Sequence, residues 1–317
     1  MSSHSLQNSL KNLLTDTKKM SSRKNIRKIK EFLIEGILFL CALSSVCVTF
    51  AIVYTLLVEA VPFFRLVSLK EFLTETEWTP LFENAKYGIL PLVTGTLMTT
   101  VIALGIAIPF GLITSVYLSE FASVRVREIF KPLLELLAAV PTVVYGYFAM
   151  LFVTPILQII LPELSTFNAL SAGLVMGVMI IPYVSSLSED AMRAVPQTLR
   201  EGSLALGASK FQTSFQVVAP SAFSGIASAF VLAISRAIGE TMVVAIAAGL
   251  QPRFSFNPTE STATLTAYIV QVSLGDLPHG SIGYQTIYVA GLTLFVFTFS
   301  LNLVGQRIRS RLEKKVQ

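Results

Sequence analysis

The sequence predicts an all-α, polytopic membrane protein, and three observations carry that prediction. Hydrophobic residues make up 53% of the 317 residues and charged residues 14%, whereas a soluble domain carries about 25% charged residues. The apolar residues collect into runs long enough to span about 30 Å of hydrocarbon, which takes roughly 20 residues at helical rise. These runs are continuous rather than alternating, which argues against barrel strands, and an open sheet has no place in lipid.

Six transmembrane helices are expected, near 33–57, 91–118, 132–160, 167–190, 221–250 and 283–305. A basic tail, 1–31, precedes the first. Its Ser, Asn and Lys content predicts little fixed structure. Its basic stretch and the apolar run after it are too long for a cleaved signal peptide, so the run reads as a helical anchor. Cys41 and Cys47 share the first span, six residues apart and off a common face. They read as small apolar packers, with neither a disulfide framework nor metal spacing. His4 and His279, in a tail and a loop, cannot complete a metal cluster. In the 62–90 loop, Trp78 suits a membrane interface or a partner contact, the interface being favoured.

Pro109, Pro141, Pro155 and Pro182 fall within spans, where each removes a helical hydrogen bond and can kink the helix. Such interruptions suit a protein that lines a cavity. Gly173-x-x-x-Gly177 in the fourth span permits close helix approach, and Glu189 and Asp190 mark that span's end. Glu135, early in the third span, reads as structural. The membrane domain is taken as 32–310, with a short tail at 311–317.

Lys and Arg set the orientation. The two tails and the loops 119–131 and 191–220 hold 19 of them, and the alternate loops 58–90, 161–166 and 251–282 hold 4. Both termini and the 191–220 loop are therefore expected on the cytoplasmic side of a cytoplasmic (inner) membrane. The net charge of +5 expresses that topology. Because it is divided among membrane-proximal segments, it argues against nucleic acid as a partner. Membrane lipid is the implied surrounding.

The 191–220 loop carries the most specific pattern. Gly202 to Ser209 imitates a phosphate-binding loop, but the lysine that would reach the outer phosphates is Ala208, and no buried strand precedes it. Neither cofactor nor metal is called for, and no nucleophile–base pair points to an enzyme; any ATP must be bound by another protein. The spacing Glu201-Gly202-Ser203, Gly207, then Val217-x-Ala219-Pro220 resembles the EAA loop of ABC importer permeases, with Gly202 and Ser203 in place of two alanines and Val217 and Ala219 in place of Ile and Leu. That resemblance implies a coupling helix docking on an ATP-binding subunit through Glu201, Gly202, Ser203, Gly207 and Pro220. A helix from about Thr198 to Leu206 would end at Gly207 as a left-handed cap, and Pro220 would open the fifth span.

Within the fifth span, Ser235-Arg236-Ala237-Ile238-Gly239-Glu240-Thr241 sets an arginine near mid-membrane with a glutamate at i+4. An arginine at bilayer centre costs about 2.5–3.5 kcal/mol on the insertion scale, so it should face a wet cavity or a partner. Mutual neutralisation with Glu240 is one reading. An anion path is the other, since guanidinium forks match oxyanion oxygens. Phosphate keeps a P–OH near neutral pH that Glu240 can accept as a hydrogen bond, whereas sulfate has none.

The string SRAIGETMVVAIAAG at 235–249 and ELLAAVPTVVYGYFAM at 135–150 resemble phosphate-specific importer permeases of the PstC type. That resemblance implies a type I ABC importer permease fold and a substrate path through Arg236, Glu240, Thr241 and Ser235. The implied partners are a second permease subunit of PstA type, two ATP-binding subunits and an external phosphate-binding protein seated on the loops 62–90 and 251–282. ATP hydrolysis in the partners would pull a 198–216 helix and tilt the fifth span. A permease for sulfate or molybdate, and a membrane component signalling phosphate supply, are the alternative readings.

Overall fold

A computed structural model describes the backbone of residues 3–275, 277–278 and 280–316, and the side chains of residues 30–307 within those limits. His4 and His279 fall outside the described side chains. The chain divides into two compact units, residues 1–55 and 56–317.

The first unit is helix throughout its described length, part of α1 (Ser3–Leu66). The tail expected to lack structure is helical from Ser3. No glycine precedes Gly36 and no proline precedes Pro62, so nothing in the sequence stops propagation once a turn has formed. From Lys30 to Thr55 almost every side chain is exposed, Phe32, Leu38, Phe39 and Phe50 among them. A helix apolar on all sides suits lipid rather than water. Cys41 and Cys47 are exposed free thiols, which corrects the reading of them as packers within this chain.

In the second unit, α2 (Leu69–Thr74) leads to α3 (Leu90–Val116), which has proline in its first turn and runs into a π-helical turn at Tyr117–Phe121. Next, α4 (Val124–Ala139) is capped by the Ser123 hydroxyl and gives way to α5 (Thr142–Phe148), a π turn and α6 (Thr154–Ile160). The expected span 132–160 is thus broken. Val140 and Pro141 are extended, as the residue before a proline prefers, and the membrane-length helix begins at Thr142. Asn168 caps α7 (Ala169–Arg193) by accepting from the Ser171 N–H at 2.7 Å.

After α7 come the short helices α8 (Gln197–Ala205), α9 (Lys210–Thr213) and α10 (Ala219–Ser221), then α11 (Phe223–Ile238), α12 (Met242–Ala247), α13 (Leu265–Ser273) and α14 (Ile282–Val316). Among the described residues, five helices are long and apolar enough to cross a membrane, six if Lys210–Ser221 and Phe223–Ile238, bent by 71°, count as one. Among the described residues the sole β feature is one bridge, Trp78 to Tyr87.

The central packing is α3 against α7. A Cβ added at Gly173 would lie 2.7 Å from the Ile102 side chain, and one at Gly177 would lie 2.8 Å from the Ala103 carbonyl oxygen. The small-residue spacing thus lets the two backbones approach as it does in membrane helix pairs. Gly111 returns the arrangement from α3, its missing Cβ leaving room for Val184. A second cluster forms around Trp78, which is 2% exposed and meets Phe72 and Tyr268 edge-on. Trp78 is therefore a core residue, packed inside the chain rather than presented to lipid head groups or a partner. The loops on both sides of it fold inward to build that core.

Gly177→Ala should lower the melting temperature of the detergent-solubilised protein, since overpacking costs about 1–3 kcal/mol. Gly105→Ala, at a position with open space around it, should not lower it. Equal melting temperatures for Gly177→Ala and the parent would contradict the close approach of α3 and α7.

Candidate functional site

The 191–220 segment is not one 198–216 helix: α8 is followed by a tight turn, and α9 then runs through a π-helical turn at Ser214–Val218 into α10. Gly207 has φ +88°, a conformation that side-chain-bearing residues rarely adopt, and so it ends the α8 arm. Ser209 then caps α9 in a reciprocal box with Gln212. The Ser203 and Thr213 hydroxyls meet at 2.9 Å and tie the arms together. Glu201 and Gly202 stand exposed on α8, as do Leu199, Leu204 and Leu206, the last 91% exposed. Phe211 and Phe215, with ring centroids 4.6 Å apart, add exposed aromatic area. Exposed apolar residues grouped on a polar loop mark a contact surface. Pro220 lies in α10, one short helix before the expected position, and the bend to α11 falls at Ala222.

Sequence reasoning missed what anchors this hairpin. Arg200, on α8, pairs with Glu120 at the end of α3 through two hydrogen bonds, Nη2 at 3.1 Å and Nε at 3.4 Å. The same guanidinium donates to the Met192 and Val195 carbonyls at 2.7 and 2.5 Å, satisfying the frayed end of α7. One side chain therefore joins α8 to both α3 and α7. Nearby, fully buried Glu189 receives Arg127 at 3.0 Å, Lys131 at 2.8 Å and Arg193 at 3.7 Å, while Asp190 takes a second contact from Lys131 at 2.6 Å. Burial opposes the Lys131 ammonium, but its bonds to Asp190 and Glu189 outweigh that and raise its pKa above the ordinary lysine value. The i,i+4 spacing of Arg127 and Lys131 was the available sequence signal. Their acidic partner lay 58 residues beyond Lys131. Glu135 is exposed on α4.

The expected span 221–250 is broken at Gly239–Thr241. Arg236 sits in the last turn of α11 rather than inside a continuous helix, where the partial negative charge of the helix end favours a cation. Its side chain is 39% exposed, lies over the Tyr183 ring at 5.4 Å and approaches Glu240 at 3.9 Å. Glu240 is almost fully buried and divides its carboxylate between the two sides of the break. Its Oε1 accepts from the Met242 and Val243 N–H groups at 3.2 and 3.4 Å, a negative group at the positive start of α12. The Glu240 carbonyl accepts from the Thr266 hydroxyl at 2.6 Å.

Of the four residues expected to line one path, the structure groups Arg236, Glu240 and Thr241 at the break. Ser235 points elsewhere, donating to the Val231 carbonyl and meeting Asn302 of α14 at 3.0 Å. Tyr183 is the neighbour sequence reasoning did not supply. The ends of two half-helices thus meet beside a partly exposed guanidinium, an arrangement suited to holding an anion where membrane helices unwind.

Comparison with known proteins agrees with this architecture. Residues 107–317 match the family described as binding-protein-dependent transport system inner membrane component, and the chain belongs to that family. It is an ABC transporter permease subunit. A probable ABC transporter permease of Bacillus subtilis, YqgH, is 33% identical over 96% of this chain and 98% of its own length. The phosphate transport system permease PstC of Xylella fastidiosa is 31% identical over 77% of this chain and 80% of its own. PstC 1 of Mycobacterium tuberculosis is 32% identical over 81% and 86%. Among solved structures, a bacterial alginate ABC transporter superposes with TM-score 0.62 at 15% identity, covering 89% of this chain and 97% of the other. The inward-facing MetNI methionine transporter does so with TM-score 0.52 at 17% identity, covering 71% and 94%. At those identities they establish the fold, that of a type I ABC importer permease.

Removing the buried carboxylate should be costly. Glu189→Ala leaves three cations facing a void and should destabilise by about 3–5 kcal/mol, the usual range for breaking a buried pair. Lys131 supplies the pH dependence. Because its folded pKa is raised, its contribution is complete below the ordinary lysine value and is lost as pH climbs through the folded one. Melting temperatures should therefore fall more steeply for the parent than for Lys131→Met as pH climbs above the ordinary lysine value of about 10.4. Parallel pH profiles would contradict the ion-pair account.

Proposed function

We propose that this chain is the transmembrane subunit of an ATP-driven importer of inorganic phosphate. It would work with a second permease of PstA type, two ATP-binding subunits and an external phosphate-binding protein. The observation that carries this reading is the Arg236 guanidinium, half-exposed at a helix break and held over Tyr183. The names of the PstC relatives support the choice of oxyanion.

In this reading both termini and the α8–α9 hairpin face the cytoplasm, as the Lys and Arg distribution suggests. The ATP-binding subunits grip the hairpin through Glu201, Gly202 and the exposed leucines, with Ser203, Gly207 and Pro220 shaping it. Movement of α8 passes through Arg200 to α3 and α7, and through the 71° bend to α11. Phosphate meets Arg236 through charge-assisted hydrogen bonds. Glu240 commits one oxygen to α12 and turns the other toward Arg236, where it can accept the P–OH that phosphate retains and sulfate lacks. The same carboxylate competes for Arg236 and keeps phosphate from being trapped. Thr241 borders the break, and Ser235 holds α11 against α14 rather than touching the anion.

The test is reconstitution of the assembled complex with its binding protein in liposomes. Phosphate should stimulate ATP hydrolysis and enter the vesicles, and sulfate should not compete. Arg236→Ala should lower uptake by at least about tenfold, the scale of one lost hydrogen bond to a charge, and Glu240→Gln should narrow the discrimination against sulfate. Uptake unchanged in Arg236→Ala, or sulfate carried as well as phosphate by the parent, would contradict the proposal.

A further inference from the structure

We propose that the cleft between the α8–α9 hairpin and the ends of α3, α4 and α7 is a second anion site, taking a phosphate-type group and regulating the hairpin. Its position relative to the ATP-binding subunits rests on the permease reading above. Anion binding in the cleft does not depend on what the transporter carries.

The cavity has a volume of about 480 Å³, within the size range of small-molecule sites. Its walls include Glu120, Arg127, Arg193, Arg200 and Lys210. With the adjoining Lys131, these cations outnumber the carboxylates of Glu120, Glu189 and Asp190, leaving an excess of two positive charges around the cleft.

The pairing locates that excess. Arg200 is occupied by Glu120 and two backbone carbonyls, and Arg127 and Lys131 by Glu189 and Asp190. Arg193 retains only a 3.7 Å approach to Glu189 and is 44% exposed. The Lys210 ammonium lies 5.4 Å from the centre of the Phe121 ring, and among the described residues it makes no hydrogen bond or ion pair, so its N–H donors are open to a ligand. The uncompensated charges therefore sit on α7 and on the hairpin, across the same cavity.

An arginine fork beside a lysine point charge is a phosphate-binding pair. One or two negative charges on the ligand match the excess. The hairpin's hold on the rest of the protein then acquires a switch. With the cleft empty, Arg200 is the one α8 side chain, among the described residues, that hydrogen-bonds to Glu120 and to the end of α7. With an anion bridging Arg193 and Lys210, α9 is tied to α7 as well, and the hairpin cannot move separately. Occupancy should therefore slow turnover. The phosphate-type group can be free inorganic phosphate or the head group of an acidic phospholipid, since α4 presents Val124, Ile129, Phe130 and Leu133 outward beside the cleft.

The experiment uses the assembled complex in nanodiscs and reads amide hydrogen exchange over residues 193–213 together with basal ATP hydrolysis. In phosphatidylcholine discs and without the external binding protein, so that no transport stimulation is read, inorganic phosphate at ten times its dissociation constant should slow exchange of that segment about tenfold and depress basal hydrolysis. The effect should vanish in the double variant Arg193→Gln/Lys210→Gln. If the protection appears only when phosphatidylglycerol is added to the discs, and vanishes in the same variant, the ligand is the head group. The proposal is overturned if neither probe protects the segment, as when an acidic side chain of the ATP-binding subunit already fills the cleft, or if protection survives in the double variant. None of these readings requires transport. Exchange protection without phosphate uptake would overturn the cargo assignment alone, and uptake without protection would overturn the cleft alone.

Discussion

Backbone polar groups inside a membrane have no water to bond with, and each must find a partner in the protein. That constraint decides where this chain can interrupt a helix. The gap between α11 and α12 is tolerated because the Glu240 carboxylate takes the first N–H groups of α12, and the Thr266 hydroxyl reaches the Glu240 carbonyl. In the sequence, Glu240 reads either as the counter-ion of Arg236 or as an acceptor for the P–OH of a bound phosphate. Its first task is to hold the break open, and the 3.9 Å approach to Arg236 is what remains of its charge. A single side chain thus sets both the backbone geometry and the electrostatics of the candidate site.

The same logic recurs at the other end of α11. The turn after α8 needs the positive φ of Gly207, and the frayed end of α7 is satisfied by Arg200. Arg200 is also the ion-pair partner of Glu120, so the group that completes one helix end also fixes the hairpin to two long helices. Charges at this end are buried only in company. Glu189, with no exposed surface, sits among three cations, an arrangement that specifies how α4 meets α7 more than it adds stability.

Composition and apolar run length made the helical membrane class legible, and Gly173 and Gly177 allowed a close helix approach without saying that α3 would be the partner. The hairpin's turn was legible at Gly207, because only a left-handed residue suits that position. What stayed hidden depended on partners distant in sequence. Trp78 reads as interfacial from its loop, yet Tyr268, nearly two hundred residues later, buries it. Arg236 and Glu240 read as neighbours on one helix face, because nothing local in Ile238-Gly239-Glu240 demands a break until Thr266 and the start of α12 are in place. Cys41 and Cys47 looked like packing residues because small apolar side chains usually are, but in α1 they face outward. The break at Val140 was nearer to legible: Pro141 disfavours a helical conformation in its neighbour, and a proline in a span can sit within a helix, as Pro109 and Pro182 do here, or end one.

The central claim is that the break in the α11–α12 segment presents position 236 to an aqueous path for anions. Its most direct measurement is chemical. In the assembled complex, with Cys41 and Cys47 changed to serine, Arg236→Cys should react with a charged, membrane-impermeant thiol reagent, and phosphate should slow that reaction. Labelling only by a lipid-soluble reagent, with no effect of phosphate, would place the position against hydrocarbon and contradict the account.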